Sequence, residues 1–144
     1  MTAYYLAARY SMNAEMRGVS DVLTALGHTV TSRWIHCHPD VVGDFTSSFD
    51  VYALNEHTED CAPLGQHDLD DIDAAQTLVS FSDKTGGGKG GRHVEFGYAL
   101  AMRKNLVVVG YRENVFHTLP QVVQYPDWAH FVMSLSITPT QGEK

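Results

Sequence analysis

The sequence predicts an α/β fold in which a parallel sheet carries helices on both faces. Apolar, strand-like runs alternate along the 144 residues with runs of helical periodicity, as they do in βαβ units. One strand-like run leads through five glycines within residues 86–91 directly into a helix. Ligands of such sheets bind beyond the carboxyl ends of the strands, so we expect a site at this glycine loop. Residues 1–144 show no internal repeat or boundary, and we expect a single domain.

Four strands are predicted from the pattern of apolar residues. Ala3–Ala7 is continuously apolar, which is typical of a buried parallel strand, and Thr29–Ile35 alternates and is β-branched. The third and fourth strands are Thr77–Phe81 and Asn105–Gly110. In a parallel sheet the carboxyl ends of all four strands lie at one edge, which is where a site is expected.

Helical periodicity and capping residues predict four helices. They run from Ser11 or Asn13 to Leu26, from Asp68 to Ala75, from about Arg92 to Arg103, and from Trp128 to Leu135. Gly27 follows the first helix in the position where helices commonly end. Residues 36–65 are acidic and irregular and receive no element, and residues 138–144 are expected to form a loose tail.

The composition indicates a globular, cytoplasmic protein that binds neither nucleic acid nor membrane. The net charge is −7, whereas a nucleic-acid-binding surface is usually basic. No run approaches the roughly 18 apolar residues of a membrane span. Cys37 and Cys61 show no Cys-x-x-Cys spacing, which favours a reduced compartment. The pair His36 and His38 is weak evidence for a metal, because no further ligand follows at a zinc-site spacing, so we expect none.

The glycine loop suits a small anion. Glycines let backbone N–H groups approach a ligand closely, a helix N-terminus favours negative charge, and Lys89 and Arg92 add positive charge. The loop is not a P-loop, because Gly90 follows Lys89 where that motif has serine or threonine. It also lacks a dinucleotide-binding context with an acid about 20 residues later. A flexible surface loop is the alternative interpretation.

Two acids near the loop are candidates for chemistry. Glu95 lies about one turn into the helix after the glycines, where it either favours the helix dipole or acts as a nucleophile. Asp68 begins the predicted helix before the third strand, where it either caps that helix or supplies a second carboxylate beside a sugar C1′. Of Tyr4 and Tyr5, one is expected to face the core and the other to place its hydroxyl at the site. Arg9 is a candidate anion ligand.

Three segments together resemble the nucleoside 2-deoxyribosyltransferase family. They are Tyr5-Leu-Ala-Ala, Asp68 with Asp73-Ala-Ala-Gln76-Thr-Leu-Val behind it, and Gly91-Arg-His-Val-Glu95-Phe-Gly-Tyr-Ala-Leu-Ala101. The third segment is the most specific, and the resemblance covers roughly residues 3–117. With Arg112-Glu-Asn-Val-Phe-His117 included, the chain is most similar to the branch that contains cytidylate N-glycosidases. The family also includes the 2′-deoxynucleoside 5′-monophosphate N-glycosidases.

The resemblance implies a flavodoxin- or Rossmann-like sheet of about five strands and cleavage of N-glycosidic bonds through a covalent sugar–enzyme intermediate. It implies that Glu95 is the nucleophile, that Asp68 handles the proton of the departing base, and that Tyr5 orients the nucleophile. No cofactor is implied. Family members form dimers or larger assemblies with shared sites, so a homodimer or higher homo-oligomer is expected, with Asn114 or His117 as the group that reaches a neighbouring site.

One departure from the family pattern concerns the substrate. Transferases of free nucleosides usually carry an acid six residues before the nucleophile, and this chain has Lys89 there. A lysine among loop amides attracts a 5′-phosphate that an acid would repel. The expected phosphate-binding residues are Gly88, Lys89, Gly90, Gly91 and Arg92, with Arg9 nearby.

The expected activity is therefore hydrolysis of a (pyrimidine) nucleoside 5′-monophosphate to the free base and (deoxy)ribose 5-phosphate. Arg92 and the loop amides are expected to keep the pKa of Glu95 low. The alternatives are a nucleoside 2-deoxyribosyltransferase that exchanges bases and a nucleotide-binding module without catalysis.

Overall fold

A computed structural model of the chain describes residues 1–36, 58–82 and 90–136. Five strands form one sheet: β1 (Ala3–Ala7), β2 (Thr29–Val30), β3 (Thr77–Phe81), β4 (Asn105–Val109) and β5 (Val122–Tyr125). Their order is β2-β1-β3-β4-β5, and every neighbouring pair is parallel. This is the doubly wound order of flavodoxin-like sheets, in which the winding reverses between β1 and β3. The predicted parallel α/β fold is confirmed.

Helices cover both faces of the sheet. The described α-helices are α1 (Asn13–Ala25), α2 (Thr58–Ala74), α3 (Gly91–Ala101) and α4 (Trp128–Ser136). Helices α2 and α3 contact each other and β1 on one face. On the other face, Phe131 of α4 packs against Tyr4 and Tyr125, with ring centroids 6.0 and 5.4 Å apart. Short 3-10 helices span Tyr10–Met12, Arg33–His36 and Val115–Thr118.

The core lies along the three central strands. All residues of β3 are buried, as are the last four residues of both β1 and β4, which explains why these runs are continuously apolar. Tyr5 lies beside Leu78, and Leu78 lies beside Leu106, so these side chains share the face that α2 and α3 cover. Strands β2 and β5 form the edges and are more exposed.

The prediction of a strand over Thr29–Ile35 is wrong beyond Val30. After that residue the side chains bind the backbone of β1 and the segment turns away from the sheet. Ser32 Oγ accepts from the Leu6 N–H at 2.6 Å, and Trp34 Nε1 donates to the Leu6 carbonyl at 2.7 Å. These two contacts satisfy the backbone N–H and carbonyl of Leu6 in place of a longer β2. Trp34 already belongs to the 3-10 helix Arg33–His36, which replaces the rest of the predicted strand.

The prediction that a helix begins at Asp68 is also wrong, because α2 begins ten residues earlier, at Thr58. Pro63 and a run of polar residues concealed the first turns. Pro63 is the sixth residue of α2 and removes one intrahelical hydrogen bond, a loss that the rest of the 17-residue helix tolerates. Asp68 is therefore an interior residue of α2 and not its N-cap. Strand β5, which we had not assigned, is a short edge strand before Pro126.

Candidate active site

Tyr5 stands at the centre of the candidate site. It lies in the middle of β1 and is completely buried beneath α2 and α3, whereas Tyr4 points to the opposite face. The hydroxyl of Tyr5 lies close enough to both Asp68 and Glu95 to lower the pKa of each carboxyl. It is nevertheless not aligned in a hydrogen bond with any described residue. Burial, and then the two nearby acids, raises the pKa of Tyr5 above its ordinary value, so the phenol stays neutral.

Glu95 reaches the Tyr5 hydroxyl from the second turn of α3. Its Oε2 is buried and has no hydrogen-bond partner among the described residues. Burial, together with the Asp68 charge, raises the pKa of Glu95 to about 8. The expectation that Arg92 and the loop keep this pKa low is therefore wrong. The guanidinium of Arg92 instead binds the carboxylate of Glu113.

Asp68 approaches the same point from α2. Burial and then the Asp71 charge raise its pKa to about 6, while Arg33 and the Tyr5 hydroxyl act in the opposite direction. Two carboxyls that interact titrate as a pair, and this pair holds one proton between about pH 6 and pH 8. Because the pKa of Glu95 is the higher of the two, this proton lies mainly on Glu95, and its transfer to Asp68 produces a minor state with an ionised Glu95 and a protonated Asp68. That state has the carboxylate and the acid that nucleophilic attack with proton transfer to a leaving group requires.

A second polar cluster lies on the side of α3 that meets the segment after β4. Arg92 forms a bidentate ion pair with Glu113, with Nη2 2.7 Å from Oε1, and both side chains are almost fully buried. Arg92 was predicted to bind substrate, and an anionic ligand would have to compete with Glu113 for its guanidinium. The backbone N–H of Glu113 donates to Nδ1 of His117 at 3.1 Å.

His117 and Asn114 belong to this second cluster. His117 is buried against Phe96 with ring centroids 4.8 Å apart, and burial lowers its pKa, so the ring is neutral near pH 7. Because Nδ1 accepts a hydrogen bond, the ring proton lies on Nε2, which has no partner among the described residues. Asn114 Oδ1 accepts from the Phe116 N–H at 3.0 Å, and its amide lies 3.4 Å from His93 Nδ1.

Ser80 is a polar residue of this face that we had not predicted. It lies beside Ala7 in the sheet register, two positions beyond Leu78, and so shares the face of Tyr5. Its hydroxyl is buried and has no hydrogen-bond partner within the described ranges. Buried polar atoms of this kind are rare unless a ligand or water completes them. The only sequence signal is a single hydroxyl inside the apolar run of β3.

The remaining predicted residues lie around the same edge or outside the described ranges. Arg9 follows the carboxyl end of β1 and precedes the 3-10 helix Tyr10–Met12. Gly90 takes a positive φ of 91° at the N-cap of α3, and Gly91 is the first residue of that helix. Gly88 and Lys89 lie outside the described residues, as do Cys37, His38 and residues 138–144.

Within residues 1–36, 58–82 and 90–136, His, Cys, Asp and Glu side chains form no group of three that could hold a metal ion. None of the helices described in these ranges is long and apolar enough to cross a membrane.

Neither a family model nor a curated protein matches the chain. Solved structures do. The CMP N-glycosidase BcmB of Clostridium botulinum matches with a TM-score of 0.54 and 19% identity, over 94% of this chain and 99% of that one. A 2-desoxiribosyltransferase of Leishmania mexicana matches with a TM-score of 0.50 and 12% identity, over 95% of this chain and 99% of that one. At such identities the likeness concerns architecture, and this chain shares the fold of these two enzymes over nearly its whole length.

Proposed function

We propose that this protein is an N-glycosidase that hydrolyses a nucleoside 5′-monophosphate to a free base and a pentose 5-phosphate. One observation carries the proposal: Tyr5, Asp68 and Glu95 meet in a largely buried cluster whose two carboxyls share one proton near neutral pH. The same three residues are the catalytic residues that the sequence resemblance implies. The shared fold with a CMP N-glycosidase supports the same reaction class.

In the first step of the proposed reaction, the carboxylate of Glu95 forms a bond to C1′ of the sugar. The C1′–N bond breaks, its electron pair goes to the base, and the base takes the proton of Asp68. The neutral Tyr5 hydroxyl beside both carboxyls orients Glu95 for the attack. In the second step, Asp68 takes a proton from water, the water oxygen bonds to C1′, and Glu95 leaves as a carboxylate.

The 5′-phosphate is assigned to the N-terminus of α3. Gly90 and Gly91 begin this helix, and the N–H groups of a first helical turn lack intrahelical partners and favour an anion. Lys89 directly precedes them in the sequence. Arg92 follows, but Glu113 holds its guanidinium, so Lys89 and the backbone amides carry most of the proposed contact.

The direct test is a screen of ribo- and deoxyribonucleoside 5′-monophosphates for released base by liquid chromatography. We expect release by the wild type, and a loss of at least about 10³-fold in Glu95→Gln, whose amide cannot form the sugar ester. Asp68→Asn should lose about 10²- to 10⁴-fold because only proton transfer is removed. Glu15→Gln, an exposed glutamate on α1, is the matched control. Wild-type-like turnover by Glu95→Gln would contradict the proposal.

The same assay separates the alternatives. A base-exchanging transferase forms a new nucleoside when a second base is supplied, and a non-catalytic module retains nucleotide without releasing base. Matched nucleoside and monophosphate substrates test the phosphate contact: Lys89→Asp should reduce kcat/KM for the monophosphate far more than for the nucleoside. A wild type that prefers the free nucleoside would favour the transferase.

We also propose a homodimer or larger homo-oligomer. Val94, Val115 and Phe116 are exposed apolar residues of α3 and the segment after β4, and a partner subunit would cover them. Light scattering on active protein tests this, and an active monomer would contradict it.

A further inference from the structure

Asp71 is a buried acid that the proposed reaction does not use. It lies three residues after Asp68 on α2, so the two side chains lie one helical turn apart on the same face. Buried carboxylates are costly unless they are paired, and many of the other acids of this helix are exposed.

Among the described residues, Arg33 holds the carboxylate of Asp71 from outside α2. The backbone N–H of Arg33 donates to Oδ2 at 3.0 Å, and Nε of Arg33 donates to Oδ1 at 2.8 Å. In addition, the Thr31 hydroxyl donates to the Asp71 carbonyl at 2.7 Å. These three bonds fasten the last turn of α2 to the segment that leaves β2, and so they fix the rotation of the adjacent turn, which carries Asp68.

The two charges of this pair differ in their contact with water. The side chain of Asp71 is 8% exposed, whereas that of Arg33 is 56% exposed. Water screens the charge of Arg33 more strongly, so a negative potential from Asp71 remains at Asp68. In agreement, Asp71 raises the pKa of Asp68 more than Arg33 lowers it.

We propose that Asp71 is a positioning residue that holds Asp68 in place and presents a buried negative charge to it, which increases the share of molecules in which Asp68 carries the proton that the departing base takes. The inference rests on the proposed function, in which the single proton of the pair must lie on Asp68 when Glu95 attacks. The described groups that act on or face Asp68 are Tyr5 from β1, Glu95 from α3, Asp71 from α2 itself, and Arg33 from the segment after β2.

Two variants should move the titration of Asp68 in opposite directions. Asp71→Asn removes the negative charge and leaves Arg33, so the pKa of Asp68 should fall by about one unit or more. Arg33→Gln leaves Asp71 without its counter-charge, so that pKa should rise. Carboxyl ¹³C chemical shifts of labelled aspartate, followed against pH, measure both. Asp73→Asn, an exposed aspartate of the same helix that bonds the Tyr98 hydroxyl, is the matched control and should leave Asp68 unchanged.

Activity provides the second measurement. In Asp71→Asn the acid limb of the rate profile should move to lower pH, and kcat near pH 7.5 should fall about tenfold for each unit by which the pKa of Asp68 falls. If Asp71→Asn fails to fold, Arg33→Gln still tests the direction of the pKa shift of Asp68, because the altered side chain is half-exposed. Arg33→Lys should restore most of the wild-type titration of Asp68. If the pKa of Asp68 shifts equally in the two variants, or does not shift, the inference is overturned. A purely structural Asp71–Arg33 pair would destabilise the fold when broken but would not shift this pKa in opposite directions. If the two variants show opposite pKa shifts but the wild type releases no base, the electrostatic coupling stands and the proposed function is refuted.

Discussion

Replacing Glu95 by glutamine should stabilise the protein, and the gain should depend on pH. Burial raises the pKa of Glu95 from an ordinary 4.5 to about 8. The folded protein therefore binds this proton more tightly than the unfolded chain. The contribution of Glu95 to stability is fully present below about pH 4.5, declines as the pH rises, and is lost above about pH 8. A glutamine carries no charge to bury at any pH.

The size of the gain follows from the same values. The difference between about 8 and 4.5, at about 1.36 kcal/mol per pKa unit, sets a ceiling of about 5 kcal/mol for ionised Glu95. Only part of the residue is withdrawn from water, and part of the effect comes from the charge of Asp68, so we expect ~2 kcal/mol at pH 9. For a chain of this length that corresponds to a rise in Tm of about 6–8 °C.

Thermal unfolding of the wild type and Glu95→Gln at pH 5 and pH 9 measures this gain. The two proteins should melt at similar temperatures at pH 5 and differ at pH 9. Glu15→Gln is the control: this exposed glutamate lies in the first turn of α1, so its loss should have a small effect of the opposite sign at pH 9. A Tm difference that is the same at both pH values, or a less stable Glu95→Gln at pH 9, would refute the reasoning.

Three further outcomes follow from the geometry. The rate of base release should follow a bell-shaped pH profile with limbs near 6 and 8, and a sigmoid with a single limb would show that the two carboxyls do not act together. Tyr5→Phe should move both limbs to higher pH, because the Tyr5 hydroxyl lowers the pKa of both carboxyls. It should also reduce kcat with little loss of Tm. Unchanged limbs would exclude the contact between this hydroxyl and the two carboxyls. Gly110→Ala should lower the free energy of unfolding by about 2–4 kcal/mol, because φ is 110° and a Cβ would lie 2.8 Å from Ser82 Cβ. Gly18→Ala, on an open helix surface, is the control and should not lower it. Equal effects of the two substitutions in chemical denaturation would contradict the strain at Gly110.

The central strands were predictable from the sequence because their environment is simple. Runs such as Leu106–Val109 are buried on both faces of a parallel sheet, and burial alone dictates a continuous apolar pattern. Strand β2 was not predictable in length, because its end is set by contacts of Ser32 and Trp34 with β1 that no local pattern encodes. The early turns of α2 were concealed by Pro63, whose local preference the rest of the helix overrides.

The proximity of the candidate site residues was predictable from the sequence, whereas their electrostatics were not. Tyr5, Asp68 and Glu95 were selected from the sequence by resemblance, and the structure brings them together. The pKa of Glu95 was predicted with the wrong sign, because its value depends on depth of burial and on where Arg92 points. The pairing of Arg92 with Glu113 spans 21 residues and has no sequence signal.

The most direct test of the central claim is mass spectrometry of the protein after acid quenching during turnover of a nucleoside 5′-monophosphate. The account predicts a pentose 5-phosphate ester on the peptide that contains Glu95, formed as base is released and absent in Glu95→Gln. A sugar phosphate on another residue, or base release by the Glu95→Gln variant at the wild-type rate, would contradict it.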